Sequence, residues 1–148
     1  MYTKKTLQHF RNPRNYGKIK NPSAIGRVGN IMCGDLMVLY LKIVKNKIQK
    51  IKFETFGCAA AIATSSMITE IAKGKTLEQA LQINKDDIIK SLGGLPQIKT
   101  HCSILAIDAL SEAIYQYFTK NKQFIPQVLK DRHLRIKREK ALIKEKFQ

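Results

Sequence analysis

The chain has 148 residues, 44% hydrophobic and 26% charged, with 27 Lys and Arg against 11 Asp and Glu, three cysteines and no tryptophan. That length suits one domain with a real core, and the composition excludes a disordered polymer, a collagen-like chain and a disulfide-stapled mini-protein. An odd cysteine count with no close pair reads as reduced thiols, metal ligands or a nucleophile.

No run approaches the roughly 18–20 apolar residues of a membrane span. The longest near-candidate, residues 36–41, has strand length, and no signal-peptide pattern is present. The first acidic residue is Asp35. This basic start has the character of a transit peptide, but it soon enters the turn-forming run Asn12-Pro13-Arg14-Asn15. It therefore reads as part of the mature domain, and the expectation is a cytoplasmic protein.

The charge is concentrated at both ends: residues 1–34 carry a net +7, residues 35–119 only +2, and residues 120–148 again +7. Basic ends of this kind attract nucleic acid, an anionic surface or an acidic protein, or simply keep the chain in solution. Aromatics make up 7%, and no nucleic-acid motif or stacking array accompanies the charge, so a nucleic-acid partner is not expected.

In chain order, residues 3–10 read as a short helix with Leu7 and Phe10 inward, stopped by the Asn12-Pro13 turn. Residues 21–30 are loop with a short strand over 24–28. Residues 36–44 form the clearest strand, with Met37, Leu39, Leu41 and Ile43 on one apolar face. A tight turn at Lys45-Asn46-Lys47 leads into a second strand over 48–55, with Ile51 and Phe53 inward, completing an antiparallel hairpin. Beyond Gly57 the pattern turns helical. An alanine-rich helix spans 59–72 and ends at Gly74. Thr76 and Gln79 form a capping box, and Asn84 caps another short helix ending near Gly93-Gly94. A long helix covers 103–118, with Leu105, Ala109, Ala113 and Tyr117 on one side.

Strands first and helices later argue for an α+β domain over residues 1–119, with helices on one face of a small antiparallel sheet of about three strands. Residues 120–148 form a basic, helical C-terminal extension. Its apolar stripe of Leu129, Ile136, Ile143 and Phe147 would dock on the body or on a second subunit.

Each cysteine falls at a junction between elements, where a scaffold positions the side chain yet leaves it accessible. Cys33 precedes the long strand within Cys33-Gly34-Asp35, Cys58 precedes the alanine-rich helix, and Cys102 follows His101 at the start of the long helix. Helix N-termini favour the thiolate, the form that binds metal or attacks sulfur. A lone cysteine is more often a small buried hydrophobe, but three junction cysteines beside Asp or His weaken that view. Cys33, Asp35, Cys58, His101 and Cys102 could close a tetrahedral zinc site or hold an iron–sulfur cluster. Lys99 is either a solvated charge or a group steadying a nearby thiolate. A Cys–His hydrolase would need His9 as its base, which nothing local supports.

Four stretches carry a family resemblance: His9 with Asn12-Pro13-Arg14-Asn15-Tyr16-Gly17; Cys33-Gly34-Asp35; Phe56-Gly57-Cys58 with Ala61-Ile62-Ala63 and Ser65-Ser66; and Leu95 through Ala106, which includes Lys99, His101 and Cys102. Over roughly residues 2–118 the chain resembles the IscU/NifU-type iron–sulfur cluster assembly scaffolds. The resemblance implies a scaffold and carrier, not an enzyme in the usual sense. A [2Fe-2S] cluster would be built from iron and from persulfide sulfur delivered by a cysteine desulfurase, then passed to apo iron–sulfur proteins. A ferredoxin-like donor would supply electrons, and an iron-delivery or frataxin-like protein could supply iron.

Carried over by position, Cys33, Cys58 and Cys102 are the sulfur ligands, Asp35 or His101 completes the set, Cys102 accepts persulfide and Lys99 supports it. Zinc at the same residues is implied for the cluster-free form. The alternative is a zinc-bound sulfur-relay protein, but the 43 residues between Cys58 and Cys102 leave no room for the insertion such relatives carry. Leu95-Pro96-Gln97-Ile98-Lys99 lacks the second proline of the family's chaperone-recognition stretch, which counts against a dedicated Hsp70-type chaperone. Tyr2 falls where the family places a tyrosine near a subunit contact, implying a dimer or higher homo-oligomer.

Overall fold

Alternating apolar residues drive the pairing of β2 (Asp35–Val44) with β3 (Lys47–Phe56). Met37, Leu39, Leu41, Ile48, Ile51 and Phe53 are all essentially inaccessible. Lys45 and Asn46 turn the chain with both φ angles positive, 52° and 64°, as a two-residue hairpin of matching twist requires. β1 (Ala24–Asn30) adds antiparallel to β2, giving the order β1-β2-β3. The computed structural model describes residues 1–30 and 34–146, side chains at 30 and 143–146 excepted.

Among the described residues, helices α1 (Lys4–Arg11), α2 (Ala59–Ala72), α3 (Leu77–Ala80), α4 (Lys85–Ser91), α5 (Thr100–Lys120) and α6 (Gln127–Lys146) complete the fold. The α+β expectation holds, with helices packed on the sheet's apolar face while Leu36 and Val44 on the other face stay exposed. α5 crosses β1 at backbone contact. A Cβ on Gly26 would lie 2.1 Å from the Ala109 carbonyl oxygen and 2.7 Å from the Ala113 nitrogen, so glycine and alanine are what allow this approach. The outer edge of β3 is covered rather than left open. Gly17 N–H donates to the Phe53 carbonyl, and Gly74 N–H to that of Ile48, each at 2.8 Å.

Three local expectations change. On α1 the inward residues are Thr6 and His9, while Leu7 is half-buried and Phe10 is 40% exposed. The reason is chemical: α1 packs on a polar stretch of α2, where His9 Nδ1 lies 2.7 Å from Ser66 Oγ. Strand β1 runs to residue 30 rather than 28. Helix α5 begins at Thr100, three residues early, after a 3₁₀ turn over Gln97–Lys99. Cys102 therefore lies inside its first turn.

The C-terminal helix α6 packs on α5, with Leu129 and Ile136 buried in the main core. Arg135 pairs with Asp108 through two bonds, at 2.6 and 3.1 Å. Ile143 and Phe147, the other members of the expected stripe, lie outside the described side chains. No described helix is long and apolar enough to cross a membrane.

Candidate metal centre

Three elements end at one point. Asp35 opens β2, Cys58 is the N-cap residue of α2, and Cys102 lies in the first turn of α5. The two helix N-termini therefore converge on one thiol pair, where their unpaired N–H groups favour negative charge. Cys58 Sγ and Cys102 Sγ are 3.8 Å apart, and Cys102 Sγ is 3.9 Å from Asp35 Oδ2. One ligand atom from each residue falls within 4.8 Å of the other two. Sulfurs bound tetrahedrally about 2.3 Å from one metal ion sit about 3.8 Å apart, so the thiol pair already has the spacing a metal demands.

The surroundings hold these groups in place. Thr64 on α2 donates to the Cys102 carbonyl at 3.2 Å, tying the start of α5 to α2. Gly57 lets the Asp35 carboxylate lie against the chain, because a Cβ there would be 2.8 Å from Asp35 Oδ1. Asp35 is 3% exposed, a costly place for a carboxylate unless a cation or hydrogen bonds compensate it.

Cys33 lies outside the described residues. His101 is half-buried beside Cys102 and is not a member of the triplet formed by described residues. Of the two candidates for the oxygen or nitrogen position, the one brought within the triplet is Asp35. Lys99 ends the 3₁₀ turn next to the site, half-buried.

Accessibility departs from expectation. Cys58 is half-exposed, but Cys102 is 1% exposed, clustered with Ala60 and Ala61, against which the partly buried Tyr2 and Leu95 pack. Tyr2, which the resemblance places near a subunit contact, packs against the Cys102 cluster, and nothing local in the sequence marks this packing of an N-terminal residue. Burial raises the pKa of the Tyr2 phenol, the neighbouring Cys58 and Cys102 add to the rise, and Lys99 pulls the other way. His9, set aside as a catalytic base, is held on the opposite stretch of α2. Burial lowers its pKa from 6.5, with Glu70 opposing.

The family described as NifU-like N-terminal domain matches residues 1–124. The chain is 60% identical over 121 residues to the iron–sulfur cluster assembly scaffold protein IscU 1 of Archaeoglobus fulgidus, covering 82% of this chain and 79% of that protein. It is 48% identical over 125 residues to IscU of Buchnera aphidicola, covering 82% and 98%. A crystal structure of a cluster assembly scaffold assigned to the SUF system of Fervidobacterium islandicum superposes with TM-score 0.65 at 25% identity, covering 76% of this chain and 96% of that one. A match through residue 124, taking in the sheet, the alanine-rich helix and the thiol pair, places this chain in the NifU-like N-terminal domain family.

Proposed function

We propose that this protein is a scaffold on which an iron–sulfur cluster is assembled and from which it is handed on. The observation carrying this reading is the pair of thiols and one buried carboxylate, preset within 4.8 Å, in a chain 60% identical to a named scaffold. Cys58, Cys102 and Asp35 hold the cargo together with Cys33; His101 is the alternative to Asp35. A carboxylate is a harder, more exchangeable partner for iron than a thiolate. Three sulfurs and one oxygen therefore suit a carrier that must release what it builds. The most fitting cargo is [2Fe-2S], and zinc fits the same donor set when no cluster is present.

Sulfur arrives in this reading as a cysteine persulfide on a desulfurase. The Cys102 thiolate attacks the terminal sulfur, the donor's S–S bond breaks, and the donor cysteine leaves as thiolate while Cys102 keeps the sulfane sulfur. That exchange is redox-neutral. Converting the sulfane sulfur to sulfide takes two electrons, supplied by a ferredoxin-like protein. Cys102 is buried, with Tyr2 and Leu95 packed against its cluster, so in this reading the surrounding packing, the N-terminal segment included, loosens before transfer. Lys99 beside the site offsets the negative charge that accumulates there. The protein turns over no substrate of its own, and its partners are the desulfurase and apo iron–sulfur proteins.

The test is iron, acid-labile sulfide and visible absorption on anaerobically purified protein, before and after adding iron, cysteine and a desulfurase. Charge-transfer bands with equal iron and sulfide, lost on Cys33→Ala, Cys58→Ala or Cys102→Ala, are expected. Zinc that iron and sulfide never displace, with desulfurase turnover still stimulated through Cys102, would replace the scaffold reading with a sulfur relay.

A further inference from the structure

We propose that the cavity between β1, α5 and α6 binds a small phosphorylated molecule with a flat, largely apolar body, of mononucleotide class. The cavity is about 740 Å³, within the range of small-molecule sites. One wall is α6, which starts at Gln127, whereas the family match ends at residue 124. The site is therefore built by a segment beyond the family's common body, far from the thiols.

The charge on the lining sets the sign of the ligand. Arg27, Lys120 and Lys140 face one acid, Glu112. That acid is already engaged: Glu112 Oε2 lies 2.8 Å from His133 Nδ1, and Oε1 lies 3.8 Å from Lys140 Nζ. Among the described residues no carboxylate forms an ion pair with Arg27 or Lys120. With Lys140 paired to Glu112, the Arg27 guanidinium fork and the Lys120 ammonium remain, and together they suit a doubly charged phosphate better than a single carboxylate.

The remaining lining sets the body. Pro22, Ala24 and Ile25 from the β1 side and Tyr115 from α5 give apolar surface. The wall is stiff: Tyr115 stacks on His133 at 3.8 Å and 7°, and Gln116 Oε1 accepts from Ile25 N–H at 2.6 Å, closing the strand edge. The Arg135–Asp108 pair and buried Leu129 and Ile136 hold α6 in place, so the cavity exists before any ligand arrives.

The experiment titrates AMP into the full chain and follows backbone amides by NMR, with ribose 5-phosphate and adenosine as head-only and body-only probes. Saturable shifts at residues 24–27, 115–120 and 133–140 are expected, with AMP binding about tenfold tighter than either fragment. Arg27→Ala and Lys120→Ala, both at exposed positions, should each weaken AMP about fivefold or more. Lys50→Ala, on exposed β3 surface, should not. No saturable shift at millimolar AMP overturns the proposal. So does equal weakening by Lys50→Ala, which would mean general attraction to a basic protein, and so does ribose 5-phosphate binding as tightly as AMP.

Discussion

Replacing Gly57 by alanine tests whether the carboxylate is held in the thiol site by lack of a side chain next to it. The added Cβ would stand 2.8 Å from Ala61 Cβ, 2.8 Å from Asp35 Oδ1 and 2.9 Å from Asp35 Cγ. Carbon atoms in contact settle at about 3.5 Å or more. Ala61 is fully buried in the first turn of α2 and cannot retreat without the helix, so Asp35 must rotate away. Overpacking of this kind costs about 1–3 kcal/mol, which at roughly 2–4 °C per kcal/mol lowers Tm by about 2–12 °C. Taking the oxygen out of the triplet should also weaken metal binding by about 10–100-fold. Cobalt(II) titration reads this directly, since its visible bands report thiolate ligation and coordination geometry. In a double-mutant cycle with Asp35→Ala, Gly57→Ala should add almost no further loss of cobalt affinity and should cost less stability than in the parent. A Gly57→Ala protein with parental Tm and cobalt affinity, or fully additive losses, would refute the reasoning.

Three further outcomes follow from other parts of the molecule. Iodoacetamide should label Cys58 well before Cys102 in the metal-free protein, and Tyr2→Ala should speed Cys102 labelling about tenfold or more, because it uncovers a buried thiol; unchanged mass-spectrometric rates would show that Tyr2 is not the cover. The folded His9 pKa lies below its unfolded value of 6.5, so the unfolded chain takes up this proton first and stability falls as pH drops through that value. Urea unfolding from pH 7.5 to 5 should show that fall, and His9→Asn should flatten it; parallel slopes would contradict the assignment. Arg135→Ala leaves the Asp108 carboxylate, 8% exposed, without its partner and should cost about 1–2 kcal/mol, discounted because Arg135 is half-exposed. Hydrogen exchange at Leu129 and Ile136 should rise, and unaltered protection would show that α6 is held by apolar contacts alone.

The hairpin, the alanine-rich helix and the place of Cys58 at that helix's start are legible from residue order, because period-two alternation, Gly and Asn turns and capping boxes are local signals. Thr76 with Gln79 and Asn84 with Asp87 do form reciprocal caps. What escaped was long-range. The inward face of α1 departs from its hydrophobic pattern because its partner surface on α2 is polar, and hydrophobic periodicity carries no trace of a buried His9–Ser66 bond. The burial of Cys102 is not legible locally because the groups packed around it, Ala60, Ala61, Leu95 and Tyr2, come from several parts of the chain, Tyr2 from 100 residues earlier. Sequence could name five candidate donors by type and by motif, since chemistry resides in the side chain itself. Only the fold could select Asp35, Cys58 and Cys102 from the described donors and set their sulfurs at 3.8 Å. That distance depends on the crossing of three elements packed through Ala60, Ala61 and Gly57, whose small side chains have no signature until something lies against them.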